Sequence, residues 1–132
     1  MTSKIPSDTQ WADLASKING KMNAIDYSTS EQSTGIKWID DSVIYQKTIN
    51  LGSLPNSTTK NVAHDISNLD SVVRIEVIIT NGTVFAALPF VSTSSAAANI
   101  AINANATNVS VTTGTNRTGY SGYATLYYTK VA

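Results

Sequence analysis

Residues Ser71 to Thr80 read SVVRIEVIIT, in which Val73, Ile75, Val77 and Ile79 alternate with Val72, Arg74, Glu76 and Ile78. Successive side chains of a strand point to opposite faces, so this period of two turns one row toward a core and confines the segment to a sheet. Thr80-Asn81-Gly82-Thr83 follows. Asn-Gly readily takes the two positive φ angles of a type I′ turn, so a two-residue reversal is predicted, with TVFAALPF as the returning strand. Pro89 has no amide hydrogen to give a ladder, which puts it at an edge, a bulge or a strand end.

The same alternation recurs in shorter pieces. Gly35 to Ile39 reads as a strand, Asp40-Asp41-Ser42 as a turn, and Val43 to Leu51 as the return, with Val43, Tyr45, Ile49 and Leu51 on a face that Lys47 interrupts. Lys60 to Ile66 places Val62, His64 and Ile66 together. After the low-complexity stretch VSTSSAAAN, residues 99–113 read as a hairpin turning near Asn105 to Asn108. Gly122 to Val131 closes the chain with Ala124, Leu126 and Tyr128 on one face and Tyr123, Thr125 and Tyr127 on the other. About eight short strands separated by turn residues specify an all-β antiparallel sandwich or barrel.

Ahead of the strands, Ser7 and Gln10 form an S-x-x-Q capping box, which predicts a helix start. Trp11, Leu14, Ala15, Ile18 and Met22 fall on one stripe, and Asn19-Gly20 offers a stop after about three turns. So short a helix is marginal alone in water, so the stripe needs a partner surface. Two readings remain open: the helix packs on its own β domain, or Trp11, Leu14, Ile18 and Met22 from several chains meet around a symmetry axis. Residues 1–34 are thus expected to form a helix and linker for attachment or trimerisation, and residues 35–132 the β domain.

Composition narrows the function. The 132 residues carry nine basic and nine acidic side chains with no basic run, which argues against a nucleic-acid partner or an anionic membrane surface. No apolar run approaches the roughly 20 residues that span a bilayer, and no secretion signal pattern opens the chain. Cysteine is absent, so disulfides, thiolate metal sites and a Cys nucleophile are excluded. His64, the single histidine, lies level with Val62 and Ile66 and reads as a hydrogen-bonded core or interface residue. One histidine with Asp65 and Asp70 matches no ligand spacing, so neither metal nor cofactor is expected. Asp40 and Asp41, adjacent on a turn tip, point apart, whereas glycosidase carboxylates must face one another. No catalytic residue is assigned, and the expectation is a protein that is not an enzyme. The five N-x-S/T sequons, at Asn56, Asn81, Asn105, Asn108 and Asn116, are read as chance in a chain rich in Asn, Ser and Thr.

Two stretches, Glu31 to Val73 and Thr112 to Lys130, carry a resemblance. Trp38-Ile39-Asp40, Ile44-Tyr45-Gln46-Lys47-Thr48-Ile49, Leu54-Pro55-Asn56, Val62-Ala63-His64 and the closing Tyr128-Thr129-Lys130 resemble, in order, phrases in the C-terminal head modules of bacteriophage tail fibres and receptor-binding proteins. The resemblance implies a jelly-roll-like sandwich, usually a homotrimer, on the surface of a phage particle. Its partners would be itself, other virion proteins through the N-terminus, and a host cell-surface polysaccharide. The chain departs from the pattern at Asp40-Asp41, where such modules show Asp-Gly. They also carry a long shaft ahead of the head, whereas here the resemblance opens at Glu31, so a short accessory spike, a head or neck fibre, or a truncated product is expected.

Sugars present C–H faces that stack on aromatic rings and hydroxyls that need amide, carboxylate or guanidinium partners. Tyr120, Tyr123 and Tyr127 with Asn116 and Arg117 supply that mix near one loop, and Trp38 with Asp40 and Asp41 near another. These eight are the candidate glycan contacts. Outer-face tyrosines are equally suited to a subunit interface, and Arg117 to clamping its loop.

Overall fold

The structure, a computed structural model, describes residues 7–22 and 26–132, with the backbone alone for 19–22. One helix, α1 (Asp8–Met22), precedes eight strands: β1 (Gln32–Lys37), β2 (Val43–Ser53), β3 (Thr59–Ala63), β4 (Leu69–Thr80), β5 (Phe85–Ala87), β6 (Ile100–Ala104), β7 (Asn108–Thr113) and β8 (Ser121–Lys130). All pair antiparallel, in a five-stranded sheet of order β1-β2-β8-β4-β5 and a three-stranded sheet of order β3-β7-β6. The pairing is nested: β2 pairs with β8 and, after both crossovers, β3 pairs with β7. The fold is thus an all-β sandwich with one short helix.

The core lies between the sheets. β8 runs between β2 and β4 and contributes Ala124, Leu126 and Tyr128, all fully buried, against Ile49 and Leu51 of β2 and Val77 and Ile79 of β4. Val109 and Val111 face them from β7. At Gly122 the β8 backbone passes so near β4 that a Cβ there would stand 2.3 Å from the Ile78 carbonyl oxygen. Lys47, which breaks the apolar row of β2, donates from its Nζ to the His64 carbonyl at 2.7 Å and so closes the end of the core beneath the β3–β4 crossover.

His64 is a core residue, 1% exposed. Its Nδ1 accepts the Ile66 N–H at 3.1 Å, which leaves Nε2 to donate to the Asn105 carbonyl at 2.9 Å. One ring therefore ties the β3–β4 crossover to the β6–β7 turn. Asparagine side chains shape the tips: Asn105 Oδ1 accepts from the N–H groups of Thr107 and Asn108, and Asn116 Oδ1 from the N–H and hydroxyl of Thr118. In these sequons the Asn and Thr meet in the local turn geometry that short polar side chains favour.

Several boundaries differ from the sequence expectation. The Asn81-Gly82 reversal is not a type I′ turn. Gly82 alone takes a positive φ, of 96°, and Thr80 pairs with Phe85, so four residues connect β4 and β5. The turn is built instead on Asn81 Oδ1, which accepts from the Thr83 and Val84 N–H groups at 3.0 and 2.8 Å. β5 stops at Ala87, short of Pro89, and the chain crosses to the small sheet, where Phe90 exchanges both backbone bonds with Ile100 at 3.0 Å. β1 begins at Gln32 and ends at Lys37, so the first strand starts before Gly35 and the turn includes Trp38. Asp41 takes a φ of 65°, the left-handed conformation that glycine favours.

The Ser7–Gln10 capping box is formed: the Ser7 N–H donates to Gln10 Oε1 at 2.8 Å and the Gln10 N–H to Ser7 Oγ at 3.3 Å. α1 passes Asn19-Gly20 without stopping and runs 15 residues, about four turns. Trp11, Leu14 and Ile18 are 53%, 46% and 47% exposed, so the β domain of the same chain leaves their stripe uncovered. The Met22 side chain and Ile25 lie outside the described residues. Among the described residues, no helix is long and apolar enough to cross a membrane.

Candidate functional site: the outer face of the large sheet

Register puts three rows of side chains on the face of the large sheet that turns away from the core: Asn50, Tyr123 and Ile78; Thr48, Thr125 and Glu76; Gln46, Tyr127 and Arg74. The middle row is joined by a 2.9 Å bond between the Thr48 and Thr125 hydroxyls. In the third row the Gln46 Nε2 donates to the Tyr127 phenol at 3.1 Å, and the phenol donates to Glu76 Oε1 at 2.8 Å. Arg74 completes the relay, bonding Glu76 Oε2 at 2.8 Å with its guanidinium 5.1 Å from the centre of the Tyr127 ring. Both oxygens of Glu76 are thereby engaged. Burial, together with the contacts to Tyr27 and Glu76, holds the Tyr127 phenol well above the usual tyrosine range, so the relay keeps its proton.

Gln46 is only 3% exposed, although it points to the outer side of the sheet. Its Oε1 has no donor among the described residues.

The chain ahead of β1 lies along the same face. The Thr48 N–H donates to the Ser28 carbonyl at 2.9 Å, which holds residues 26–30 beside β2 beyond the end of β1. Tyr27 is thereby set over the sheet, 70% exposed, its phenol oxygen 3.5 Å from that of Tyr127. Three recesses adjoin it. One of about 760 Å³ lies over Asn50, Ile78, Tyr123 and Phe85; one of about 490 Å³ lies between Trp38, Gln46 and Tyr127; and one of about 360 Å³ is bordered by Thr48, Tyr123 and Thr125. Rings and aliphatic side chains alternate there with neutral hydroxyl and amide groups, a surface suited to stacking and hydrogen bonding.

The eight residues picked out by sequence do not form one cluster. Tyr123, Tyr127 and Trp38 border these recesses. Asp40 and Asp41 occupy the β1–β2 turn, where the Ser42 N–H, donating to Asp40 Oδ1 at 3.0 Å, lowers the Asp40 carboxyl below its ordinary value. Asn116, Arg117 and Tyr120 sit on the β7–β8 connection and border none of the three. Arg117 donates to the Ala98 carbonyl at 2.7 Å, with its guanidinium 5.9 Å from the Phe90 ring and 5.7 Å from the Tyr120 ring. Its backbone N–H donates to the Pro55 carbonyl at 3.1 Å. These contacts are those of a loop clamp.

Tyr27, Gln46 and Asn50 were not read from the sequence as part of a site. Gln46 and Asn50 were legible as outward residues of β2 by alternation alone, but nothing local places β8 beside them or lays Tyr27 across both. Among the described residues, no group of three or more His, Cys, Asp or Glu side chains is arranged to hold a metal ion.

No family model matches the chain, and no curated protein or solved structure matches it.

Proposed function

We propose that the protein is a non-catalytic component of a bacteriophage particle, a fibre or receptor-binding protein whose sandwich adheres to a polysaccharide of the bacterial surface. The observation that carries this reading is the outer face of the large sheet, where Trp38, Tyr123 and Tyr127 stand among the neutral amide and hydroxyl groups of Asn50, Thr48 and Thr125. The nested pairing of β2 with β8 and β3 with β7 supports a jelly-roll-like description and agrees with the resemblance to fibre head modules.

The exposed stripe of Trp11, Leu14 and Ile18 is read as the assembly surface. Three copies packing these side chains around an axis form a homotrimer that presents one weak site three times, raising avidity without new contacts. A second reading, a head fibre or decoration protein that binds mainly other virion proteins, is favoured by the same stripe, because it would serve a virion partner equally well.

A fusion to a fluorescent protein separates the two. An adhesin labels whole host cells, and labelling falls when Tyr123 is replaced by alanine. A decoration protein leaves cells dark and binds virions that lack it, through residues 1–34.

A further inference from the structure

We propose that the outer face takes an uncharged oligosaccharide along its chain rather than a single terminal sugar, and that Tyr27 is the ligand-contacting residue shared by adjacent subsites. This rests on the adhesion reading above. All three recesses border Tyr27. Each is large enough on its own for a small ligand. A monosaccharide fills one and leaves the others to water, whereas a chain of sugar units passes under or beside the Tyr27 ring and occupies neighbouring recesses together.

Tyr27 is built for that part. Its backbone position is fixed by the bond from the Thr48 N–H to the Ser28 carbonyl. Among the described residues its side chain makes one hydrogen bond, the 3.5 Å contact of the two phenols. The ring thus lies over the site with most of its surface, 70%, open to a sugar face.

Charge selects the ligand class. Among the described residues that line the three recesses, Glu76 and Arg74 alone carry charge, and they neutralise one another at 2.8 Å. A uronic acid or phosphorylated sugar finds no free cation here and would have to give up its hydration to enter. A neutral sugar meets the hydroxyls of Thr48 and Thr125 and the amide of Asn50, which can serve its hydroxyls as donors and acceptors.

The test is an array of neutral and acidic bacterial surface polysaccharides probed with the full chain, followed by calorimetry on fragments of the best binder from the monosaccharide upward. The expected result is a neutral polysaccharide, affinity that rises with fragment length, a loss of about tenfold in Tyr27→Ala, and retention in Tyr27→Phe, which keeps the ring. Tyr27 is exposed, so neither variant should disturb folding. Selection of acidic polysaccharides, or full affinity for the monosaccharide, or wild-type binding by Tyr27→Ala, overturns the inference and leaves the adhesion reading standing. Failure to bind any polysaccharide overturns both.

Discussion

Glu31 and Tyr128 offer a measurable test of how the strand-free segment before β1 is joined to the core. The fully buried Tyr128 donates its phenol proton to Glu31 Oε2 at 2.6 Å, while Lys130 approaches Glu31 Oε1 at 2.9 Å and stacks its ammonium 5.4 Å from the Tyr45 ring. Replacing Glu31 by alanine leaves the phenol buried with no acceptor, a loss of about 1–3 kcal/mol. The bridge to Lys130 adds at most about 1 kcal/mol, because Glu31 is about one-third exposed and water screens it. In a Tyr128→Phe background the orphan disappears, and Glu31→Ala should cost only the bridge. Urea unfolding of the four proteins of this cycle at neutral pH should therefore give a coupling energy of about 1–2 kcal/mol. A coupling below about 0.5 kcal/mol, within the additivity of independent sites, would refute the assigned bond. pH supplies a second arm. Burial alone would raise the Glu31 carboxyl, but the hydrogen bonds from Tyr128 and Lys130 outweigh it and the net shift is downward. A carboxyl depressed by folding stabilises above its unfolded value of 4.5 and loses that contribution as pH falls through the lower folded value. The stability gap between the wild type and Glu31→Gln should therefore shrink on acidification below about pH 4.5. A gap that holds steady or widens would contradict the sign.

Gly122→Ala should destabilise by about 1–3 kcal/mol in thermal unfolding, because its Cβ meets the Ile78 carbonyl oxygen rather than a yielding side chain. Leu126→Ala, at the centre of the core, should cost about 2–5 kcal/mol in urea unfolding. His64→Leu should lose about 1–3 kcal/mol for each backbone group it orphans, and hydrogen exchange should show the Ile66 amide opening faster. On the proposed trimeric assembly, light scattering should give three times 14.0 kDa for the chain and the mass of a single chain once Trp11 and Leu14 are replaced by aspartate, with the far-ultraviolet β signal unchanged.

What the sequence disclosed follows from which interactions are local. The period of two in β4 and β8 named the core rows, since alternation is fixed by backbone geometry whatever the partner strand. The Ser7–Gln10 cap was legible for the same reason, as it closes within one helical turn. The Asn81-Gly82 turn was misjudged because the Asn81 carboxamide offers the chain a second way to reverse, and β5 meets β4 only from Phe85 onward. Lys47 looked like a break in an apolar face, and only the distant His64 carbonyl explains it. The outer-face site was partly visible in Trp38, Tyr123 and Tyr127. Its completion by Tyr27, Gln46 and Asn50 depends on strand order and on the path of residues 26–30, neither of which leaves a periodic trace. Arg117 was read both as a ligand contact and as a loop clamp, and sequence alone could not show that the carbonyls it bonds lie in the β2–β3 and β5–β6 connections.

The most direct measurement on the proposed working surface is amide chemical-shift mapping of the full chain titrated with soluble polysaccharide from a bacterium that its fluorescent fusion labels. The expected shifts cluster at Tyr27, Asn50, Tyr123, Thr125 and Tyr127. Shifts confined to Thr115 through Tyr120 would instead assign binding to the β7–β8 loop and contradict the outer sheet face as the site.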